Sequence, residues 1–418
     1  MHTLLSFPVN DQKGKLRSHR LTPLTRAGLR LFRERCGDMQ LLIIDEVSMV
    51  SAEMLWWVHT RLGELFGCTN VPFGGCSIIL LGDLCQLPPV EGQWVFKSAL
   101  WREFKFSELV VSERHKTDAA FGGMCTRLRE HHPRVNPLLS DEDWKLLESL
   151  VTPEHDLEPE YVRLYCRVAG AEACNARDYR RVSLAVAPQP PVTIFAADSS
   201  FGNDRLGVRA ESVHQAQYMT TSQTGGIPTR LQLAVGMVVG LTCNIDQDSF
   251  LVNGQRGQVL GYDTDDSGSV VKIHIKFYDT LPGQPPKSIQ NRFSPDAVPI
   301  SVFKITFDLG SGRRVTRIGF PLVPATAMTI HKSQGQTYTK FACDLRGVFA
   351  PGQGYVGISR GTGSAGTRIV NALPRESLYC DEEVLQEMER LRRDQVPPPI
   401  TASVVQPQIG DVVSDPFL

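Results

Sequence analysis

The sequence predicts an α/β protein with a small all-β module set inside it. Three observations carry that prediction. Leu41-Leu42-Ile43-Ile44 is an unbroken apolar run that stops at Asp45-Glu46, and Ser77-Ile78-Ile79-Leu80-Leu81 is a second that stops at Gly82-Asp83. Runs of this length form parallel strands buried on both faces, with polar residues emerging at their carboxyl ends, where open α/β sheets bind ligands. The third observation is a change of character. From about 231 to 322 the chain becomes a series of short strands separated by turn signals, with α/β patterning on either side.

The elements follow in order. Leu24, Leu29, Leu31 and Phe32 mark a helix ahead of the first strand, in a basic stretch over residues 1–38 that includes Lys13, Lys15, Arg17 and Arg20. Met54, Leu55, Val58, Leu62 and Leu65 recur at helical spacing over 52–66. A third strand is expected near Ser107–Val111, a helix over 119–130, and another from Asp141 to Leu150 capped by Ser140 or Asp141. Val162–Tyr165 reads as a strand followed by a helix through Asn175 to Arg181, and Ala187-Pro188-Gln189-Pro190-Pro191 as a turn. The β-rich stretch contains Met237–Leu241, an Asn253-Gly254 turn, Gln258–Tyr262, Val270–Tyr278, Val302–Phe307 and Arg314–Phe320. A strand ending in Ser-Arg is expected at Tyr355–Arg360, and a charged helix near 381–394 precedes a proline-rich, disordered tail from Val396.

Composition bounds the function. With 418 residues, 42% hydrophobic and 21% charged, the chain is long enough for two or three ordinary globular domains. Its net charge of -1 leaves no global basic signature, so nucleic acid would have to be met by local grooves. The ten cysteines show neither a Cys-x-x-Cys pair nor zinc spacing, which predicts buried free thiols in a reducing compartment. No run has the length of a membrane span and the first twenty residues are no secretory signal, so an intracellular place is expected.

Several segments have the residue types of phosphoryl transfer. Asp45 is suited to hold Mg²⁺ through its water shell and Glu46 to polarise an attacking water, although an Asp here can also simply cap the next helix. Gly82-Asp83-Leu84-Cys85-Gln86-Leu87-Pro88-Pro89-Val90 presents one amide, Gln86, from a loop stiffened by prolines. Arg114 and Arg360 are candidates to meet a terminal phosphate from two directions, a contribution of ~10³–10⁵ in rate where it is made. His331-Lys332-Ser333-Gln334-Gly335-Gln336-Thr337 is dense in donors for phosphate oxygens. Leu251–Val259 most simply forms a hairpin, with backbone binding by Gln255 or Arg256 secondary.

Taken in order, these segments resemble the petite-integration-frequency (Pif) family of superfamily-one DNA helicases over roughly residues 2–375. The segments His331–Gly335 and Gly82–Val90 are the most specific. The resemblance implies two RecA-like P-loop motor domains with ATP and Mg²⁺ between them and an SH3-like β-barrel module inserted in the second. On this reading residues 1–112 are a partial first motor domain, 113–230 with 323–375 the second, 231–322 the inserted module, and 376–418 a C-terminal helix and tail. It implies an ATP-dependent 5′→3′ motor on single-stranded DNA and duplex junctions, serving replication, repair, recombination and telomere maintenance in nucleus or mitochondrion; the oligomeric state stays open, with a monomer expected.

Carried over position by position, Asp45 would hold Mg²⁺ and Glu46 would be the general base. Gln86 would sense the γ-phosphate, and Arg114 and Arg360 would contact it. His331, Lys332, Ser333, Gln334, Gly335 and Gln336 would line the DNA path, with Asn253 and Arg256 of the β-module as further DNA contacts. Two departures stand out. His115 replaces the glutamine that usually follows the motif arginine. The sequence also contains no Gly-x-x-x-x-Gly-Lys-Ser/Thr; its only Gly-Lys is Gly14-Lys15, followed by leucine. His2–Val9 resembles the family segment that follows the phosphate loop, so Met1 is expected to fall inside the first motor domain, with ATP hydrolysis weak or absent. A non-catalytic single-stranded nucleic-acid-binding relic is the competing expectation. An unrelated phosphoryl-transfer enzyme would account for the acidic strand but not for His331–Thr337.

Overall fold

The computed structural model describes residues 5, 21, 23–158, 160–201, 206–221, 223–246, 251–278, 293–294, 296–310 and 313–395. Most of segment 2–9, all of Gly14-Lys15 and the tail from Val396 lie outside the described residues.

The first lobe runs α1 (Arg26–Cys36), β1 (Leu41–Ile44), α2 (Ala52–Phe66) and β2 (Ser77–Leu80). Strands β1 and β2 pair in parallel, Leu41 opposite Ser77 through Ile44 opposite Leu80. Ser51 starts α2 by accepting the Met54 N–H on its hydroxyl (3.2 Å), and Gly67 in the left-handed region ends it. The buried stripe of α2 (Leu55, Val58, Leu62) shares a core with Leu42 and Ile44. The other face of the pair departs from the expectation of burial on both sides. Ile43 is 55% exposed, and Leu41, Ile79 and Leu81 are exposed with it, because no described element covers them.

The stretch expected as a third strand, Ser107–Val111, has no regular secondary structure and pairs with no strand among the described residues, and Leu109, Val110 and Val111 stand exposed. β-propensity alone does not make a strand where no neighbour receives its hydrogen bonds.

The second lobe holds a five-stranded, wholly parallel sheet. Its order is β15 (Ala327–Thr329), β4 (Val162–Tyr165), β16 (Phe341–Asp344), β17 (Thr367–Val370), β3 (Val151–Thr152). The helices α3 (Ala119–Arg129) and α4 (Asp141–Ser149) precede it in the chain, and α5 (Val168–Ser183) follows β4. Ser140 begins α4 with a reciprocal capping box to Asp143.

The strand expected at Tyr355–Arg360 is instead the helix α7 (Gln353–Ile358). Gln353, Gly354, Val356, Gly357 and Ile358 are all buried, and a run apolar on every side carries no period that separates helix from strand. Gly354 and Gly357 let Leu378 and Ile330 pack against the helix backbone.

Antiparallel structure begins ahead of 231. β5 (Val192–Phe195) pairs with β7 (Arg230–Leu233), and β6 (Ala197–Phe201) with β13 (Arg313–Gly319), which also pairs with β12 (Phe303–Gly310). Helix α6 (Leu206–Gln217) lies between β6 and β7 in the chain. A five-stranded antiparallel sheet holds β11 (Val298–Ser301), β10 (Val270–Phe277), β9 (Arg256–Thr264), β8 (Val238–Leu241) and β14 (Leu322–Pro324) in that order. β14 then leads directly into β15 of the second lobe.

The last helix, α8 (Glu382–Arg393), returns to the first lobe. Its Val384, Met388 and Leu391 are buried there with Trp94 and Trp101, whose indole N–H groups donate to Asp381 (3.4 Å) and Glu387 (2.8 Å). All ten cysteines are free thiols, seven of them buried, and no described helix is long and apolar enough to cross a membrane.

Candidate active site

The carboxyl end of β1 turns sharply. Glu46 has φ 54° and ψ 51°, a left-handed conformation that costs a non-glycine residue about 1–2 kcal/mol. The turn is held because the Val47 N–H donates to Leu81 O (2.9 Å) and the Leu81 N–H donates to Ile44 O (2.8 Å). Gly82, at φ 139°, makes room for it; a Cβ there would lie 2.7 Å from Val47 N. The strained turn lifts the Glu46 carboxylate out of the first lobe. Asp45 stays exposed, one oxygen accepting the Glu46 N–H (2.7 Å).

The Gln86 loop belongs to both lobes. Leu84 and Cys85 are buried in the first core, whereas Leu87 is fully buried in the second, among Phe121, Met124 and Leu164. Gly352 of the second lobe (φ 70°) abuts the carbonyls of Cys85 and Gln86 so closely that a Cβ would come within 2.6 Å of both oxygens. Gln86 is thus pinned at the seam. Its side-chain oxygen is buried with no hydrogen-bond partner among the described residues, as is that of Gln334. Such an atom costs roughly 1–3 kcal/mol until a water or ligand donates to it.

The second lobe reaches across at Gln334, whose amide nitrogen donates to Glu46 (2.8 Å) and to the buried Ser48 hydroxyl (3.3 Å). The next residue, Gly335 (φ 76°), passes so close that a Cβ would sit 3.2 Å from the other Glu46 oxygen. Behind them Arg114 donates to the Thr337 hydroxyl (2.9 Å) and to Ser359 O (2.9 Å). Arg360 is 2% exposed and donates to Val356 O (3.0 Å), Gln336 O (3.4 Å) and the Ser359 hydroxyl (3.2 Å).

No carboxylate pairs with Arg360 among the described residues. Burial, and then the positive charge of Arg114, depress its guanidinium to about 10, with the charge of Glu46 pulling the other way. A buried cation left uncompensated calls for an anion. His115 is buried, its Nδ1 2.9 Å from the Ser112 hydroxyl, and burial followed by the Arg114 charge holds it below its ordinary value.

The remaining predicted site residues divide by exposure. Lys332 and Gly335 are exposed, His331, Gln334 and Gln336 half-buried, and Ser333 fully buried with its hydroxyl donating to Ile330 O (2.8 Å). The hairpin expected over Leu251–Val259 does not form, because Leu251 bridges Asp246 while β9 pairs with β8 and β10. Exposed Asn253 lies in a turn closed by the Gln255 N–H on Val252 O (3.1 Å), where a Cβ on Gly254 would come 3.2 Å from the Gln336 amide. Arg256 points inward, 9% exposed, donating to Ala325 O (2.8 Å) just before β15 begins. Its placement is that of a strut between the β-rich part and the second lobe.

Sequence reasoning missed one set of residues altogether. The Asp83 carboxylate accepts from Arg129 (2.9 Å), from Tyr355 OH of α7 (3.2 Å) and from the Cys85 N–H (3.0 Å). Arg129 also meets Glu108 (3.2 Å) and Glu130 (2.5 Å), and both glutamates pair with Arg392 of α8 (2.7 and 2.6 Å). The hydrogen bond from Arg392 holds the Glu108 carboxyl below its ordinary range. The network ties the Gln86 loop to both lobes and to the last helix. Nothing local in the sequence announces it, since its members come from five separate segments.

Replacing Arg129 with leucine should cost about 2 kcal/mol, below the ~3–5 of a fully buried pair because these side chains keep 16–19% exposure. The urea-unfolding midpoint reads this loss. A midpoint equal to that of the native chain would show that the network is ornamental.

The family model described as PIF1-like helicase matches residues 26–123. The ATP-dependent DNA helicase PIF1 of Danio rerio is 29% identical over 365 residues, which are 85% of this chain and 50% of that protein. The chain therefore spans half the length of that curated relative. The crystal structure of Pif1 helicase from Candida albicans superposes with a TM-score of 0.67 at 25% identity, covering 87% of this chain and 79% of that one. A Bacteroides Pif1 helicase solved with ADP-AlF3 and ssDNA gives 0.64 at 22% identity, covering 94% and 83%, and shares the fold. The mixed α/β architecture with parallel sheets is that of these RecA-like motors.

Proposed function

We propose that this relative of the Pif1-like helicases is built as an ATP-coupled motor on single-stranded DNA, with nucleotide bound at the seam between its lobes. The observation that carries the reading is Arg360, a buried guanidinium without a carboxylate partner among the described residues, placed beside Arg114 and within the field of Glu46. In this reading Arg360 and Arg114 neutralise the γ-phosphate, Glu46 takes the proton of the attacking water, and Gln86 orients that water through its buried side-chain oxygen, which has no partner among the described residues. The fit extends to the metal. No group of three potential ligands occurs among the described residues, and Mg²⁺ in phosphoryl-transfer sites rests on one or two carboxylates, phosphate oxygens and water, which Asp45 can complete.

His331–Gln336 is the proposed DNA-facing segment. Its Gln334 links that surface to Glu46 in one step, so occupancy of one site bears on the other. The 418 residues contain no lysine-bearing phosphate loop, so by themselves they should hydrolyse ATP slowly. The second reading is a single-stranded nucleic-acid-binding module that does not respond to nucleotide.

Anisotropy titration of a labelled oligothymidylate, with and without ADP and aluminium fluoride, separates the two. Affinity that changes about threefold or more with nucleotide supports the coupled site. Salt-sensitive binding that nucleotide leaves unchanged supports the binding module.

A further inference from the structure

Three residues outside the seam come together above the carboxyl ends of adjacent strands of the second lobe. Arg167 follows β4, His331 follows β15, and Phe349 lies in the loop after β16. The imidazole of His331 and the phenyl ring of Phe349 are stacked, 11° from parallel with centroids 5.8 Å apart. The guanidinium carbon of Arg167 lies 4.6 Å from the same phenyl centroid. Phe349 nevertheless remains 49% exposed. An aromatic ring fixed by a cation and an imidazole, yet open to solvent, is not a core residue.

The fold holds this group in place. Gln353, fully buried in α7, accepts the Phe349 N–H on its side-chain oxygen (3.1 Å) and donates its amide to Cys166 O (3.2 Å). One buried amide therefore clamps the loop carrying Phe349 and the residue preceding Arg167. The local charge is positive. Arg167 and Lys332 are exposed without carboxylate partners among the described residues, whereas nearby Arg346 is taken up by Asp344 (2.5 Å). Burial keeps His331 below its ordinary value, hence neutral at pH 7, so the cations are the arginine and the lysine.

We propose that Phe349, braced by Arg167 and His331, is a platform on which one unpaired base of single-stranded DNA stacks while Arg167 and Lys332 meet its flanking phosphates. The inference rests on the reading of 331–336 as the DNA-facing segment and adds the residue that would grip a base there. Stacking tolerates any base, because every base has a π-face, and so suits a chain that must move along a strand. Arg167 gains twice, from phosphate and from the ring.

The test is binding of a fluorescein-labelled oligothymidylate of about fifteen nucleotides to the full chain, across a salt series. Phe349→Ala should weaken binding about tenfold with the salt slope unchanged, and Arg167→Gln should lower the slope by about 0.7. Phe349→Trp should keep the affinity and have its fluorescence quenched by the oligonucleotide. If the native chain binds and Phe349→Ala binds as tightly, the platform is wrong and the DNA-facing segment stands. Weakened Phe349→Ala beside an unquenched Phe349→Trp also overturns it, since the ring would then act only by holding His331. If the native chain does not bind the oligonucleotide at all, the reading beneath it falls as well.

Discussion

Arg360→Gln should weaken binding of a fluorescent ADP analogue with aluminium fluoride about 10- to 100-fold, while oligothymidylate affinity without nucleotide moves less than about twofold. The magnitude is that of one charge-assisted hydrogen bond to phosphate in a desolvated setting, ~1.5–3 kcal/mol. The asymmetry follows from placement. Arg360 is 2% exposed behind Ser359 and Gln336, so it can meet an anion in the seam but not a strand on the outer surface. The substitution also removes buried hydrogen bonds to Val356 O, Gln336 O and the Ser359 hydroxyl, so the thermal-unfolding midpoint read beside the titration separates loss of binding from loss of folding. Equal nucleotide affinity in the two proteins would remove Arg360 from the site.

Glu46→Gln should abolish whatever DNA-stimulated ATP hydrolysis the chain retains, a loss of ~10²–10⁴ for removal of a general base. Glutamine keeps the shape and can still accept from the Gln334 amide, so the left-handed turn and the contact between lobes survive. Phosphate release and nucleotide binding read the two effects separately. Hydrolysis should fall to background with binding retained; hydrolysis unchanged would show that another residue, or solvent alone, takes the proton.

Much of this arrangement was legible in the sequence, and the limits have physical causes. Asp45 and Gly82 could be placed at strand ends because short apolar runs break there, α2 because its apolar residues recur at helical spacing, and the start of α4 because Ser140 is a cap. Local patterning could also single out Gln86, Arg114 and Arg360. It could not place Gln86 at the seam, which depends on Leu87 being buried in a core made from other segments. It misjudged Tyr355–Arg360, where glycines and all-round burial hide the period of α7, and Ser107–Val111, where propensity found no partner. The Asp83–Arg129–Arg392 network and the stack on Phe349 are invisible locally because their members meet only after folding. Arg256, expected as a DNA contact, is buried and donates to Ala325 O, a distinction that rests on which way β9 turns its side chains.

Photolabelling with a γ-azidoanilide of ATP, followed by peptide mapping, tests most directly whether one triphosphate is shared by both lobes. Label on peptides from both the 82–90 loop and the 353–360 segment, competed away by excess ATP, is the predicted result. Label confined to one lobe, or falling on neither, would contradict a common site.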